Sequence, residues 1–337
     1  MTARAALLAA LIVVPSACAV RRRPSDPTPM APVPASAAPN LVDQSTVPVS
    51  MTPAAVEPND EGLPLPLALK GMSEPAKPVP TPRMWGRVAI TTAIVSPSQL
   101  IGPEIAYSSE YRQLPVFPEK LTFAMSWGLL AVGEATLGVD KIVMFNGRPA
   151  YHLVSEARSN SFCDTFYVVR DINESWLDAR TLTSLGYSKK VREGRFFRDE
   201  WVLYDRDAGV FVNRRVNKDA SFSVRVGTIP AQVQDILSSI FYARSQILQD
   251  GTEIKVDVNT PDNWPLIIKV LKRETLSVPA GRFVSMQVEP TMSREGIFVQ
   301  KGKRLRLWFS DDSKKMLLMM KAEVFFGNIT AVLREML

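Results

Sequence analysis

Residues 230–251 read PAQVQDILSSIFYARSQILQDG, and within them Val233, Ile236, Leu237, Ile240, Phe241, Ile247 and Leu248 fall at i, i+3, i+4 and i+7 spacings. That recurrence lays one broad apolar stripe along a helix. Pro230 suits a first helical turn and Gly251 a stop, so the spacing predicts a single long amphipathic helix over 230–251. Nearly everything else after Lys120 reads as strand and turn. A lone helix must bury its stripe against something, and a curved antiparallel sheet supplies the surface. The expected fold is mainly β (α+β): a curved antiparallel sheet or half-barrel of about ten strands wrapped around one long amphipathic helix.

Outward from the helix, KLTFAMSW alternates Leu121, Phe123, Met125 and Trp127 against Thr122, Ala124 and Ser126, the period of a half-buried strand. GLLAVGEATLGVDKIVMF continues it through bends relieved by glycine, and Arg148 to Ser159 adds another strand. Asn160 or Ser161 caps a short helix reaching to Val169, with Phe162, Phe166 and Val169 facing inward. Residues 175–177, 185–192, 198–204 and 209–216 form a meander whose tight link is YDRDAG, rich in turn formers. Beyond the helix, 252–258, 265–276, 282–289, 304–309 and 316–326 carry β-branched, aromatic and long apolar residues. Links this short make consecutive strands antiparallel neighbours.

Most of the 26 prolines precede Lys120. Residues 20–83 are runs such as PSDPTPMAPVPASAAPN with few aromatics, a composition that cannot bury enough to offset chain entropy and reads as a disordered Pro-rich linker. Residues 84–116 form an extended transition segment, where Val88 to Val95 suits a short strand before prolines interrupt. The folded domain is placed at 117–337. Residues 1–19 read as an export signal: Arg4, then the apolar run Ala5 to Val14, then PSACA. Ser16-Ala17-Cys18 resembles a lipobox and makes Cys18 a lipidation site that would tether the chain to the membrane. Ala17-Cys18-Ala19 fits ordinary signal cleavage, and an uncleaved anchor is the third possibility. The chain has two cysteines, Cys18 and Cys163, so the domain itself can form no internal disulfide, and Cys163 between Phe162 and Phe166 reads as a small buried hydrophobe.

Several phrases occur together and in order: FPEKLTFAMSW with GLLAVGEATL, FYVVRDINESWLD, VQDILSSIFYAR, ETLSVPAGRF and LWFSDDSKK. Over residues 117–333 they resemble the bacterial domain-of-unknown-function family 3108. Glu119 follows Pro118 where that family commonly has glycine, and Met316-Leu317 replaces a proline-containing phrase; both bear on turn geometry. The resemblance implies an exported protein of Gram-negative bacteria whose shape is similar to the half-barrel of the lipoprotein carriers LolA and LolB. It carries no chemistry with it, since fold does not determine function.

The residues themselves offer little catalysis. The single histidine, His152, lies within a strand, and no nucleophile elbow or usual zinc or calcium spacing accompanies it. No catalytic residue, metal or cofactor is expected. GIFVQKGK, residues 296–303, reads as a turn, as do Asp311 and Asp312, because adjacent strand residues point to opposite faces. A carboxylate enzyme using Asp311, Asp312 or Glu134 is the least favoured reading. The net charge of +6 indicates a mildly basic surface, too weak to imply nucleic acid. Phe123, Met125, Trp127, Phe166, Trp176, Ile240, Phe241 and Trp308 are candidate linings for a cavity holding a lipid or other amphipathic molecule. Lys189, Lys190, Arg192, Lys303, Arg304 and Arg306 are candidates for a basic rim meeting its head group. The expected function is that of a non-enzymatic, exported lipoprotein of the outer membrane, facing the periplasm, that binds a lipid or other amphipathic envelope component in its concavity; the alternative is a structural protein of the envelope with a filled core that docks a protein or glycan.

Overall fold

The computed structural model describes residues 96–260, 262–292, 304–324 and 326–337. Cys18, the signal and linker of 1–83, the candidate strand 88–95 and the turn 296–303 with Lys303 lie outside them.

Among the described residues fifteen strands form one antiparallel sheet, where about ten were expected. The first meander runs β2 (Glu119–Trp127), β3 (Leu130–Phe145), β4 (Arg148–Ser159), β5 (Arg170–Asp178), β6 (Ser184–Glu193), β7 (Phe196–Asp205), β8 (Val210–Asn217) and β9 (Phe222–Thr228). The second runs β10 (Glu253–Asn259), β11 (Asn263–Val278), β12 (Gly281–Met292), β13 (Leu305–Ser310), β14 (Leu317–Glu323) and β15 (Asn328–Met336). β15 pairs with β2 and joins the two, which leaves β9 and β10 as the edges of an open, curved sheet. The strands beyond those expected include β9, β15 and β1 (Ile101–Ile105). β9 is exposed along most of its length and so lacks the apolar alternation that marks a strand in sequence. β1 contains Pro103 and, among the described residues, pairs with the far part of β3 alone, a position where a missing N–H is tolerated. Sheet structure thus begins upstream of residue 117, and Leu114 and Leu100 are buried against it.

Alternation gives the sheet two apolar faces. On β2, Leu121, Phe123 and Met125 are buried as expected, and they join Leu137, Leu153 and Leu177 in the main core. On the opposite face Val143, Phe145, Trp176, Leu185, Trp201, Leu203 and Val212 form a second cluster with Leu100. The antiparallel order puts the β2–β3, β4–β5, β6–β7, β8–β9 and β14–β15 connections at one end of the sheet. We call this the α1 end, after the one-turn helix α1 (Ser161–Asp164) in the β4–β5 connection.

Asn160 caps α1 as anticipated, its Oδ1 accepting the Cys163 N–H at 2.9 Å. Cys163 and Val169 are buried, whereas Phe162 and Phe166 point to solvent. A single turn has room for only one inward position, and Cys163 takes it.

The helix that organises the chain, α2 (Ile236–Ser245), has ten residues and is not the long helix expected over 230–251. Its start is fixed by Asp235, whose Oδ1 accepts the N–H groups of Leu237 at 2.8 Å and Ser238 at 3.0 Å. Before it, Gln234 forms a parallel bridge with Val258 of the edge strand β10. After it, Gln246 is extended. Ile247 therefore faces solvent and Leu248 the core, although both keep the helical phase in the sequence.

Candidate functional site

α2 lies on the core face with Leu237, Phe241 and Ala243 buried in the main cluster. Both of its ends are fastened to the sheet. At the N-terminus, Asp235 Oδ2 accepts the hydroxyls of Ser175 and Ser184, each at 2.6 Å. At the C-terminus, Arg244 donates to both oxygens of Glu119, at 2.6 and 2.7 Å, and to the Lys314 carbonyl at 3.1 Å. Both partners are essentially inaccessible, at 0% and 3% exposure. A bidentate pair so buried repays its desolvation only through such geometry. Lys315 adds its ammonium to the Arg244 and Gln246 carbonyls at 3.1 and 2.7 Å, where a cation complements the helix C-terminus.

Between this fastened helix and β11–β14 runs a narrow cleft of about 40 Å³. Ile236, Ser239, Ile240 and Ala243 form the helix side; Leu266, Ile268, Val288, Pro290, Leu305, Leu307, Phe309 and Met320 form the sheet side. Ser239 is its only polar side chain, and its hydroxyl is spent on the Ile236 carbonyl at 2.7 Å. Ile240 and Pro290 are half-buried and lie where the cleft opens. The arrangement can hold apolar matter and offers no group able to attack or protonate it.

Of the side chains expected to line a concavity, Ile240 alone lines this cleft. Phe123, Met125 and Phe241 are packed in the core. Trp127 is half-buried at the α1 end, its Nε1 donating to the Phe326 carbonyl at 2.6 Å. Trp176 belongs to the opposite face, stacked on Phe145 with ring centroids 4.6 Å apart. Trp308 adjoins Leu307, which lines the cleft, so alternation turns it away, and its Nε1 donates to Glu274 at 2.8 Å. Phe166 is 78% exposed and lines nothing. Period-two alternation sorts residues into two faces but does not say which one is concave.

The basic residues do not form one rim. Lys189 is half-buried on the core face, 4.9 Å from the Tyr187 ring centroid, and desolvation lowers its pKa. Nearby Glu200 is paired with Arg215 at 2.8 Å. Lys190 is exposed, Arg192 pairs with Asp199 at 2.7 Å, and Arg304 and Arg306 pair with Glu323 and Glu289. Among the carboxylates, Asp312 caps its own turn through the Lys314 and Lys315 N–H groups, each at 3.0 Å, and Asp311 pairs with Arg273 at 2.8 Å. Glu134 pairs with Arg334 at 2.7 Å beside a wide, shallow polar groove of about 480 Å³ on the sheet exterior. His152 stands between Asp140 and Glu174, 3.1 Å from each, with no nucleophile on either nitrogen. Its hydrogen bond is the first cause holding the Glu174 carboxyl below its ordinary pKa. Cys163 is buried, and desolvation raises its thiol, as suits an inert side chain. Among the described residues no group of three or more His, Cys, Asp and Glu is placed to hold a metal ion.

A family model described as "Protein of unknown function (DUF3108)" matches residues 122–334. The chain belongs to this family. The DUF3108 match covers β2 to β15, and the ordered phrases quoted above fall largely within it. Among curated proteins no sequence matches. Solved structures similar to this DUF3108 chain include a β-barrel-like protein of domain of unknown function DUF1849 from Brucella abortus, at 8% identity and TM-score 0.44, covering 67% of this chain and 98% of that one. A candidate exported protein with a YmcC-like fold from Bacteroides fragilis matches at 9% identity and TM-score 0.30, covering 65% and 95%. A candidate lipoprotein from Parabacteroides distasonis matches at 10% identity and TM-score 0.25, covering 66% and 97%. Likeness at this level says nothing of chemistry.

The DUF3108 fold also brings together residues that no local pattern announced. Arg244 and Glu119 are 125 positions apart, and Asp235 meets Ser175 from 60 positions away. The one available signal was an arginine inside an apolar helical stripe. A charge there requires a buried partner.

Proposed function

We propose that this protein is a non-enzymatic component of the bacterial cell envelope that takes a single apolar chain, from a lipid or another amphipathic envelope molecule, into the cleft between α2 and β11–β14. The observation that carries the reading is the lining: apolar side chains throughout, with one hydroxyl already satisfied, against a helix fastened at both ends. Binding would be driven by removing acyl surface from water. The export signal and Cys18 read from the sequence support the envelope location.

The cleft is narrow for this task, since a dry cavity of about 150 Å³ is what a benzene-sized ligand occupies. Ligand entry therefore requires Ile240 and Met320 to move aside. Ala243→Trp places an indole in the cleft. Native mass spectrometry of the protein purified from a Gram-negative periplasm, followed by organic extraction, should find a lipid-class molecule on the wild type and about tenfold less on the variant. A wild-type protein that is always empty would sink the proposal.

The same small volume favours a second reading, a docking protein with a filled core. In that case Ala243→Trp overpacks the helix and lowers stability by about 1–3 kcal/mol without changing any bound mass.

A further inference from the structure

The large apolar side chains left in solvent are concentrated at the α1 end of the sheet. Leu129 in the β2–β3 turn is fully exposed, and Leu130 beside it is 43% exposed. Phe162 and Phe166 of the β4–β5 connection stand edge to face with ring centroids 5.6 Å apart. Hydrogen bonds join these turns into one rim. Asn160 donates its side-chain amide to the Ala131 carbonyl at 2.8 Å, Gly128 N–H donates to the Asn328 carbonyl at 3.0 Å, and Trp127 ties in the β14–β15 turn through Phe326. The rim continues through Tyr167, whose ring lies against Gly194 of the β6–β7 turn, to Phe196 at the start of β7. The turns of the other end differ in kind: Asn146-Gly147, Asp207-Ala208-Gly209 and Asp311 to Lys315 are polar or small.

We propose that the α1 end docks on a lipid bilayer surface, with Leu129, Phe162 and Phe166 inserted among the head groups. A protein partner needs a packed, complementary patch. Here the apolar groups project singly from separate turns, and Leu129 projects without cover, an arrangement suited to a fluid phase that closes around each side chain. The charge agrees. Arg195 is exposed in the neighbouring turn and forms no ion pair within the described residues, while the acids nearby are engaged: Asp164 by Arg170 at 2.6 Å, and Glu193 by burial. A cation without a partner beside exposed aromatics fits an anionic head-group layer. Leu266, Pro290 and Leu305 of the cleft lie toward this same end of their strands, so docking would present the cleft to the lipid. The docking stands without the cleft being used.

The test is collisional quenching on vesicles of phosphatidylethanolamine and phosphatidylglycerol that carry lipid-borne spin labels. The full chain bears Cys18→Ser, so that no acyl anchor is added, and a fluorophore is attached in turn through Leu129→Cys, Phe166→Cys or Ile247→Cys. Ile247 is 79% exposed but lies beyond α2, away from this rim. Quenching at 129 and 166 should exceed that at 247 by about threefold or more, because inserted side chains reach into the head-group and acyl boundary. Equal quenching at all three, or none at the rim, overturns the proposal. Adding Ala243→Trp should leave the quenching unchanged, so that failure of the cleft and failure of the docking are separate results.

Discussion

Glu193 shares a buried pocket with Asp171 and Tyr167, and its carboxyl is pushed up to about 8, first by desolvation and then by the Asp171 charge. Its unfolded value is near the model-peptide figure of about 4.3. Between those values the folded protein holds a proton that the unfolded chain releases, so stability is greatest below the lower value and falls as pH rises toward the upper one. The midpoint of thermal unfolding should therefore drop between pH 5 and pH 8. Glu193→Gln, which is neutral throughout, should remove most of that drop, and a variant with the wild-type slope would place the coupling elsewhere. Local sequence disclosed part of this scale. Asn160 was readable as a cap and Cys163 as a buried hydrophobe, because both depend on near neighbours. The meeting of Glu193 with Asp171 depends on the β5–β6 ladder, which no window of sequence contains.

At the scale of elements, α2 acts as a bar clamped across the sheet. Arg244→Met leaves Glu119 charged, buried and unpaired, at an expected cost of about 3–5 kcal/mol in urea denaturation. Replacing Glu119 with Leu as well should recover most of that loss, because the uncompensated charge, rather than the missing bond, is what destabilises. If the double variant is as unstable as the single one, the clamp matters for shape instead. Alternation made β2 legible down to Leu121, Phe123 and Met125. Helix length was not legible. Ile247 and Leu248 keep the apolar phase past Ser245, but the Asp235 cap at one end and the extended Gln246 at the other set the boundaries.

Over the whole molecule, the sheet remains open between β9 and β10, and side chains span the gap. Tyr204 donates its hydroxyl to the Asn259 carbonyl at 3.0 Å in the interior; on the surface Arg225 meets Asp262 at 2.6 Å. Tyr204→Phe should cost about 1–2 kcal/mol, because a buried hydrogen bond is lost. Asp262→Ala should cost about 0.5 kcal/mol or less, the usual worth of an exposed ion pair. Denaturation curves that reversed this order would mean the gap is sealed from outside. The antiparallel meander was visible in the short links between strands. The closure was not, since β15 and β9 carry weak patterns and their places follow only from pairing.

The join between β15 and β2 also orders events in time. At the join, Trp127 of β2 donates to the Phe326 carbonyl in the turn that leads into β15, 199 positions away. A chain synthesised from its N-terminus delivers β2 long before β15. Loop closure over such a separation carries a large entropic cost and slows folding. Throughout that interval β2 offers an unpaired backbone edge to any passing strand. Protection in that interval thus falls to whatever shields β2 until β15 arrives.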